Sequence, residues 1–441
     1  MDLQNGKISK LYFKFLMPCL MSTAITSIYT LVDTIVVGQY EGANGAAALA
    51  CVAPVWTLFC CIPMLFGFGG AVLFSNWRGK GDERESQSFF TVSFILMMAV
   101  TVVVWLSIML FDREMLILFG AADEEILALA LRYTRWLGLG VPLYTVSIFL
   151  CAFIRNDGSP KRAGLANLIG GVYNIFADIF LTFTLDLGIE GAAIATVTAQ
   201  ALNLSILLTH FLSKKNGIRF ARPHNFLKKS AQIVSIGLPS FVQDICLAVI
   251  IVLFNNQVMR YYSAVELAIF GVASNLYSNV QTLTYGIGTA TQPIIAENLG
   301  ACKVERVRRT MRYGVLTAFI LGGAITAVTE LIPLQLVRLY MTPTPEVLAA
   351  AAPLLRMFFV CFVFTSVNVY AAFYLQAVMR VRSSVTLSLL RSVFLSAAFI
   401  IIMPLVFGKE SLWLSMTATE AVVTALSLLT IASANKNLKT E

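Results

Sequence analysis

Five ionisable side chains interrupt apolar runs long enough to cross a bilayer: Asp33, Asp178, Asp244, Glu420 and Arg391. A charge near the bilayer centre costs at least ~2.5 to 3.5 kcal/mol on insertion scales, so such groups are functional candidates by default. Spacing narrows the choice. Asn174 and Asp178 stand four residues apart, and Asn167 lies seven before Asn174, which puts all three on one helical face. Ser22, Thr26, Tyr29 and Asp33 form a second polar stripe at three- and four-residue spacings. Two stripes that each end in a carboxylate satisfy one another only across a shared interior or a wet cavity. Carboxylates with an amide and a hydroxyl make a hard oxygen cage for a small cation. The same carboxylates can instead take up and release protons, so both H+ and Na+ stay open.

The elements that must hold these residues are membrane helices. Of the 441 residues 58% are hydrophobic and only 13% charged, against an apolar share of about 45 to 50% in soluble domains. Apolar stretches fall near 11–38, 49–74, 89–111, 126–153, 163–185, 189–212, 231–259, 264–290, 313–333, 347–375, 384–407 and 411–434. Each can span a hydrocarbon core of ~30 Å as a helix. Barrel strands would instead alternate in polarity over segments of about ten residues. The first stretch runs through Pro18 and Asp33 without a cleavage-like ending and is expected to stay as helix one. The eight cysteines lack the spacing of a zinc site or a disulfide framework. They read as small core residues.

Charge placement orients the chain. Threading the helices alternately leaves Arg113, Arg132, Arg135, Arg260, Arg338, Arg356 and Lys409 on or near one side and Arg391 within a helix. Every other basic residue of the 32, including Lys436 and Lys439, then falls on the side of the N-terminus. Because Lys and Arg are retained in the cytoplasm, both termini are expected there. The net charge of +8 is thus topogenic, and a nucleic-acid partner is not expected.

The chain also repeats itself. A shift of 221 residues places Leu16-Met17-Pro18 on Gly237-Leu238-Pro239, Trp56 on Tyr277, Gly79 on Gly300 and Thr196 on Thr417; a shift of 219 places Gly67, Gly69 and Ala71 on Gly286, Gly288 and Ala290. Six helices per half start both halves on the same side, so the expected architecture is all-α, with twelve transmembrane helices in two six-helix bundles related by a parallel pseudo-twofold repeat. The bundles are expected at 1–213 and 230–441, joined by a cytoplasmic linker at 214–229. At the shift of 221, Asp33, Asn174 and Asp178 meet Phe254, Leu395 and Phe399. Symmetric packing therefore does not call for acids at these places, which favours a functional reading of the first-half set.

These residues resemble the multidrug and toxic compound extrusion family over nearly the whole chain. The resemblance rests on Leu16-Met17-Pro18, Val32-Asp33-Thr34, Gly67 to Ala71 leading to Arg78-Gly79-Lys80-Gly81-Asp82, Arg155-Asn156-Asp157-Gly158 and Asn174 to Asp178. It extends through Gly191 to Thr196, Gln292-Pro293-Ile294-Ile295 and Asn298 to Ala301. It implies a first-lobe cation-coupling site of Asp33, Asn174, Asp178 and Thr196, a helix-one bend near Pro18 and a pocket-facing Tyr29. The acidic second-lobe site of one subgroup begins with a Glu in helix seven. Here that neighbourhood holds Leu247, with Asp244 three residues earlier, so the site does not transfer simply.

The expected function is secondary antiport by alternating access, exporting lipophilic cationic drugs or toxic compounds in exchange for H+ or Na+. Thr26, Tyr29, Asn275, Asn279 and Asn368 are expected to line the substrate cavity, while Asp244 and Glu420 are expected to serve transport or to pair with Arg391. Expected partners are a small organic substrate and membrane lipid, in a monomer of a prokaryotic plasma membrane, without a cofactor or structural metal. Three rivals stay in view: a flippase for lipid-linked saccharides from the same superfamily, a major-facilitator transporter, and a non-transporting receptor or structural protein. The flippase needs a basic cavity, which one central arginine disfavours. The major facilitator needs an Asp-Arg pair that Arg78 to Glu85 do not reproduce. An enzyme is not expected, since His210 and His224 each stand apart from any second ligand along the chain.

Overall fold

A computed structural model describes residues 3–121 and 123–438, the side chain of Ala43 excepted; Lys439, counted above among the basic residues, lies outside them. Every regular element in these residues is helical. Eleven helices are long and apolar enough to cross a membrane: α1 (Ile8–Gly42), α2 (Asn44–Gly79), α3 (Glu83–Leu110), α4 (Glu124–Asn156), α5 (Pro160–Thr184), α6 (Gly188–Leu208), α7 (Phe226–Tyr261), α9 (Val304–Leu331), α10 (Pro345–Ala377), α11 (Val381–Phe407) and α12 (Lys409–Lys436). Between them runs α8 (Ala264–Gly300), 37 residues long and diluted in hydropathy by Asn275, Asn279, Gln281 and Gln292. The fold is the twelve-helix, two-bundle architecture expected from the sequence.

Local chemistry sets the ends. Asp82, Asp123 and Thr344 accept from the first-turn amides of α3, α4 and α10, neutralising donors that a helix start leaves unpaired. Helices α1 and α2 run on from one another except at Gly42, whose φ of 66° and ψ of −147° break the spiral. Only glycine occupies that region without strain. Backbone angles stay helical at Pro18, so the interruption lies at the far end of α1 from the proline. Pro18 itself packs on Gly164 of α5, where an added Cβ would meet the Pro18 Cβ and carbonyl oxygen at 2.7 Å.

The chain divides into two compact units. The first takes the residues up to Gly237 together with Ala296–Ala301, and the second takes Leu238–Ile295 and Cys302 onward. The core of the first gathers Val37, Val52, Phe59, Leu127, Tyr133, Leu137, Val141 and Ile189. That of the second gathers Phe254, Phe270, Phe358 and Trp413, with Phe254 stacked on Phe270 at a centroid distance of 4.0 Å.

The polar tract after α6 is fastened along α3. Gln87 Nε2 donates to the Gly217 carbonyl, Arg219 N donates to Gln87 Oε1 at 2.7 Å and Ala221 N to Thr91 Oγ1 at 2.9 Å. Lys229 closes the run, with Nζ 2.6 Å from both Ser88 Oγ and Glu85 Oε2.

Candidate functional site

Helices α1, α4, α5 and α6 of the first unit bring Asp33, Tyr133, Asn174, Asp178 and Thr196 into one neighbourhood. Gly171 permits it, because a Cβ there would come within 2.6 Å of Ile25 and 3.2 Å of Tyr29 on α1. The Tyr133 hydroxyl donates to Asp33 Oδ2 at 3.2 Å. Asn174 Nδ2 donates to Asp178 Oδ1 and to Thr196 Oγ1, both at 3.4 Å. Asn174 and Asp178 are 1% and 0% exposed, so no water layer screens them. A π-helical turn, Phe180–Thr184, begins two residues after Asp178; such turns occur often at functional sites.

The donors then run out. Asp33 Oδ1, Asn174 Oδ1 and Asp178 Oδ2 are each buried without a hydrogen-bond partner, and the two carboxyls lie within Coulombic reach of one another. Buried oxygens that lack partners call for an explanation, a bound ion or water among them. Two carboxylates, an amide oxygen and the Thr196 hydroxyl match the hard donors preferred by Na+, and the same acids accept a proton. A cavity of about 150 Å³ adjoins the site, lined by Tyr29, Asp33, Trp56, Tyr133 and Thr196 among others.

The sequence reading passed over Tyr133. It lies on the buried stripe Ala130, Tyr133, Leu137, Val141 of α4 and carries the stripe's one hydroxyl. A lone polar tip on an otherwise apolar buried face was the available signal. The repeat supplies a contrast: where the first unit holds Asp33, the second holds Phe254, closed into the aromatic cluster with Phe270, Phe358 and Trp413.

The second unit has its own buried polar chain. Arg391, on the π-helical turn Leu390–Phe394, donates from Nε to Glu420 Oε1 at 2.8 Å and from Nη2 to the Tyr277 hydroxyl at 2.7 Å. Tyr277 donates in turn to Glu420 Oε1, and Asn368 Nδ2 reaches Glu420 Oε2 at 2.6 Å. Asp244 stands outside this ion pair. Its Oδ1 accepts from Tyr285 at 2.7 Å, and its Oδ2 is buried without a donor. Gln281 bridges the two clusters, donating to the Tyr285 hydroxyl at 2.8 Å and lying 3.4 Å from Arg391 Nη2.

The remaining cavity candidates scatter. Tyr29 lines the first-unit cavity. The Thr26 hydroxyl folds back onto the Ser22 carbonyl at 2.9 Å. Asn275 is exposed and bonds the Gly271 carbonyl, Asn279 donates to the Tyr340 hydroxyl at 3.1 Å, and Asn368 is committed to Glu420.

The histidines require a correction, because the fold gives each the acidic neighbour that the linear sequence hid. His210 Nε2 lies 2.8 Å from Asp157 Oδ2, and His224 Nε2 lies 2.5 Å from Glu85 Oε1. Asp157 is a hub that also receives Arg78 Nη1 at 2.9 Å and Gly217 N at 2.8 Å. Among the described residues no group of three or more His, Cys, Asp or Glu is placed to hold a metal ion.

A 24% identical relative over 342 residues is a probable multidrug resistance protein, YoeA, of Bacillus subtilis, covering 74% of this chain and 72% of that one. Another is the multidrug export protein MepA of Staphylococcus aureus, 21% identical over 432 residues and covering 97% and 94%. Among solved structures, one described as an outward-facing conformation of a multidrug resistance MATE family transporter of the MOP superfamily superposes with a TM-score of 0.91 at 21% identity, over 99% of this chain and 98% of that one. A MOP superfamily transporter from Pyrococcus furiosus, described as having a binding pocket of reverse polarity, also gives 0.91 at 21% identity over 100% and 98%. The MatE family model matches twice, over residues 18–180 and 239–402, the second match beginning 221 residues after the first. With each half of the twelve-helix fold matched in turn, the chain belongs to the MatE family and is a membrane transporter rather than an enzyme.

Proposed function

We propose that this transporter exports lipophilic cationic compounds by antiport against H+ or Na+, with Asp33, Asn174, Asp178 and Thr196 as the coupling site. The observation that carries the proposal is the trio of unpaired buried oxygens, Asp33 Oδ1, Asn174 Oδ1 and Asp178 Oδ2. A coupling cation supplies the positive charge those oxygens lack. A cationic substrate is drawn to the same negative charge, so cation occupancy lowers substrate affinity and substrate occupancy lowers cation affinity. Exchange follows from that reciprocity, since coupling between two ligands acts equally in both directions. The multidrug export protein MepA and the probable multidrug resistance protein YoeA, as relatives, support a drug-like substrate.

Helices 1–213 and 230–441 serve as the two rocking bundles, joined through 214–229, with both termini in the cytoplasm of a prokaryotic cell and the chain acting as a monomer. Tyr29 and Trp56 at the first-unit cavity supply apolar and cation–π contact. The flippase alternative is disfavoured because the central arginine is neutralised by Glu420 and offers no free charge to a diphosphate.

The test is ethidium efflux from everted vesicles, comparing the native protein with Asp33→Asn and Asp178→Asn at matched expression under separate pH and Na+ gradients. Native efflux under one gradient, lost in both variants, is the expected result and names the ion. Undiminished efflux in both variants removes the coupling site. No dye movement under either gradient removes drug export.

A further inference from the structure

We propose that the first unit binds the headgroup of an anionic phospholipid in a groove at the basic end of α5. The groove, of about 710 Å³, is lined by Lys14 of α1, Lys161 and Arg162 of α5, Lys215 beyond α6, and an apolar wall that includes Leu165, Ile169 and Ile206. It contains four cations and no acid. Among the described residues none of the four forms an ion pair.

Asp157, the acid next to the groove wall at Gly158, does not discharge it. Its Oδ1 receives Arg78, while its Oδ2 receives Gly217 N and faces His210 Nε2. Arg162 is already positioned: Nη1 donates to the Thr209 carbonyl at 3.2 Å and lies 3.3 Å from His210 Nδ1. Helix α5 begins here with Pro160, no side-chain cap and no acid in its first turn. Its positive end adds to the charge of Lys161 and Arg162 instead of offsetting it. Four cations gathered without a counter-charge repel one another, and a phosphate relieves that repulsion.

The apolar wall selects a lipid over a soluble anion. Leu165 and Ile169 are 52% and 45% exposed, and the stripe continues down α5 through Val172, Tyr173 and Phe176, also exposed. Spacings of three and four residues keep this stripe on one face, so an acyl chain can lie along α5 beneath the bound phosphate. Basic pockets between helices at the cytoplasmic boundary suit anionic headgroups.

The experiment is native mass spectrometry of the full-length protein equilibrated with mixed phosphatidylglycerol and phosphatidylcholine. The native protein is expected to retain phosphatidylglycerol preferentially. A Lys14→Gln, Lys161→Gln, Lys215→Gln variant is expected to lose about a factor of five in that preference per charge removed at low salt. A control variant, Arg222→Gln, Lys228→Gln, Arg382→Gln, removes as many exposed bases elsewhere and is expected to keep it. Lys215→Gln alone, in the polar tract outside the helices, serves if the triple variant misfolds, and a fall of about fivefold is then expected. Equal phosphatidylglycerol retention in the native and groove variants overturns the proposal, as does an equal loss in the control, which would leave the bases a purely topogenic role. Thermal stabilisation by inorganic phosphate matching that by phosphatidylglycerol would also overturn it in favour of a soluble anion.

Discussion

Asp33 and Glu420 show two ways of keeping an acid inside a membrane protein. Asp33 has one donor, Tyr133, and a spare buried oxygen, whereas Glu420 is saturated by Arg391, Tyr277 and Asn368. The first arrangement leaves capacity for a cation; the second is closed. Removing the Tyr133 hydroxyl with Tyr133→Phe is therefore expected to slow gradient-driven dye efflux by about 10-fold, the value of one hydrogen bond to a charged group at about 1.5 kcal/mol. Thermal midpoints in detergent test the closed arrangement. Glu420→Gln strands the Arg391 charge and is expected to destabilise by ~3 to 5 kcal/mol, while Arg391→Leu with Glu420→Leu recovers most of the loss. At this scale the acids and amides were legible because a polar residue in an apolar run stands out. Their partners were not, because Tyr133 lies 100 residues from Asp33 and Tyr285 lies 41 from Asp244, and no local pattern links them.

Helix positions were readable from hydropathy, since a segment that cannot bond to water must close its own backbone bonds as a helix. Where the helices bend was less readable. The backbone keeps helical angles at Pro18 and leaves the spiral at Gly42, a position the sequence reading did not single out. A proline advertises its missing donor, whereas a glycine shows its special angles only in the folded chain. Gly42→Ala meets no neighbour within 4 Å, so its cost is conformational alone. A loss of ~1 to 3 kcal/mol is expected in thermal unfolding. Gly164→Val is a contrasting case: its side chain drives into Pro18, and the expected result is impaired α1 packing, read as a lower thermal midpoint and faster trypsin cleavage near the N-terminus.

At the scale of the whole molecule the repeat carried most of the information. A displacement of 221 residues, read from scattered matches such as Pro18 with Pro239, recurs as the offset between the two family matches. Duplicated sequence yields duplicated helices because burial depends on the pattern of side chains and not on their identity. The same insensitivity let the second half exchange Asp33 for Phe254 without losing its core. Orientation is testable at Cys302, the exposed cysteine in the turn after α8. A membrane-impermeant maleimide is expected to label it from the cytoplasmic face, in everted but not in right-side-out vesicles.

The fastening of residues 214–229 along α3 also changes what a cut in the chain would do. Spacers between bundles are commonly treated as slack whose length sets reach. Here the spacer is upholstery of the first unit, covering Gln87, Thr91 and Ser88 and held by backbone donors at Arg219 and Ala221. A two-piece protein divided after Ser213 would strip that covering from its own half and carry it away on the other fragment. Divided after Asn225, just before α7, the first piece would keep the covering fastened at Gly217, Arg219 and Ala221, and only Lys229 would leave with the other.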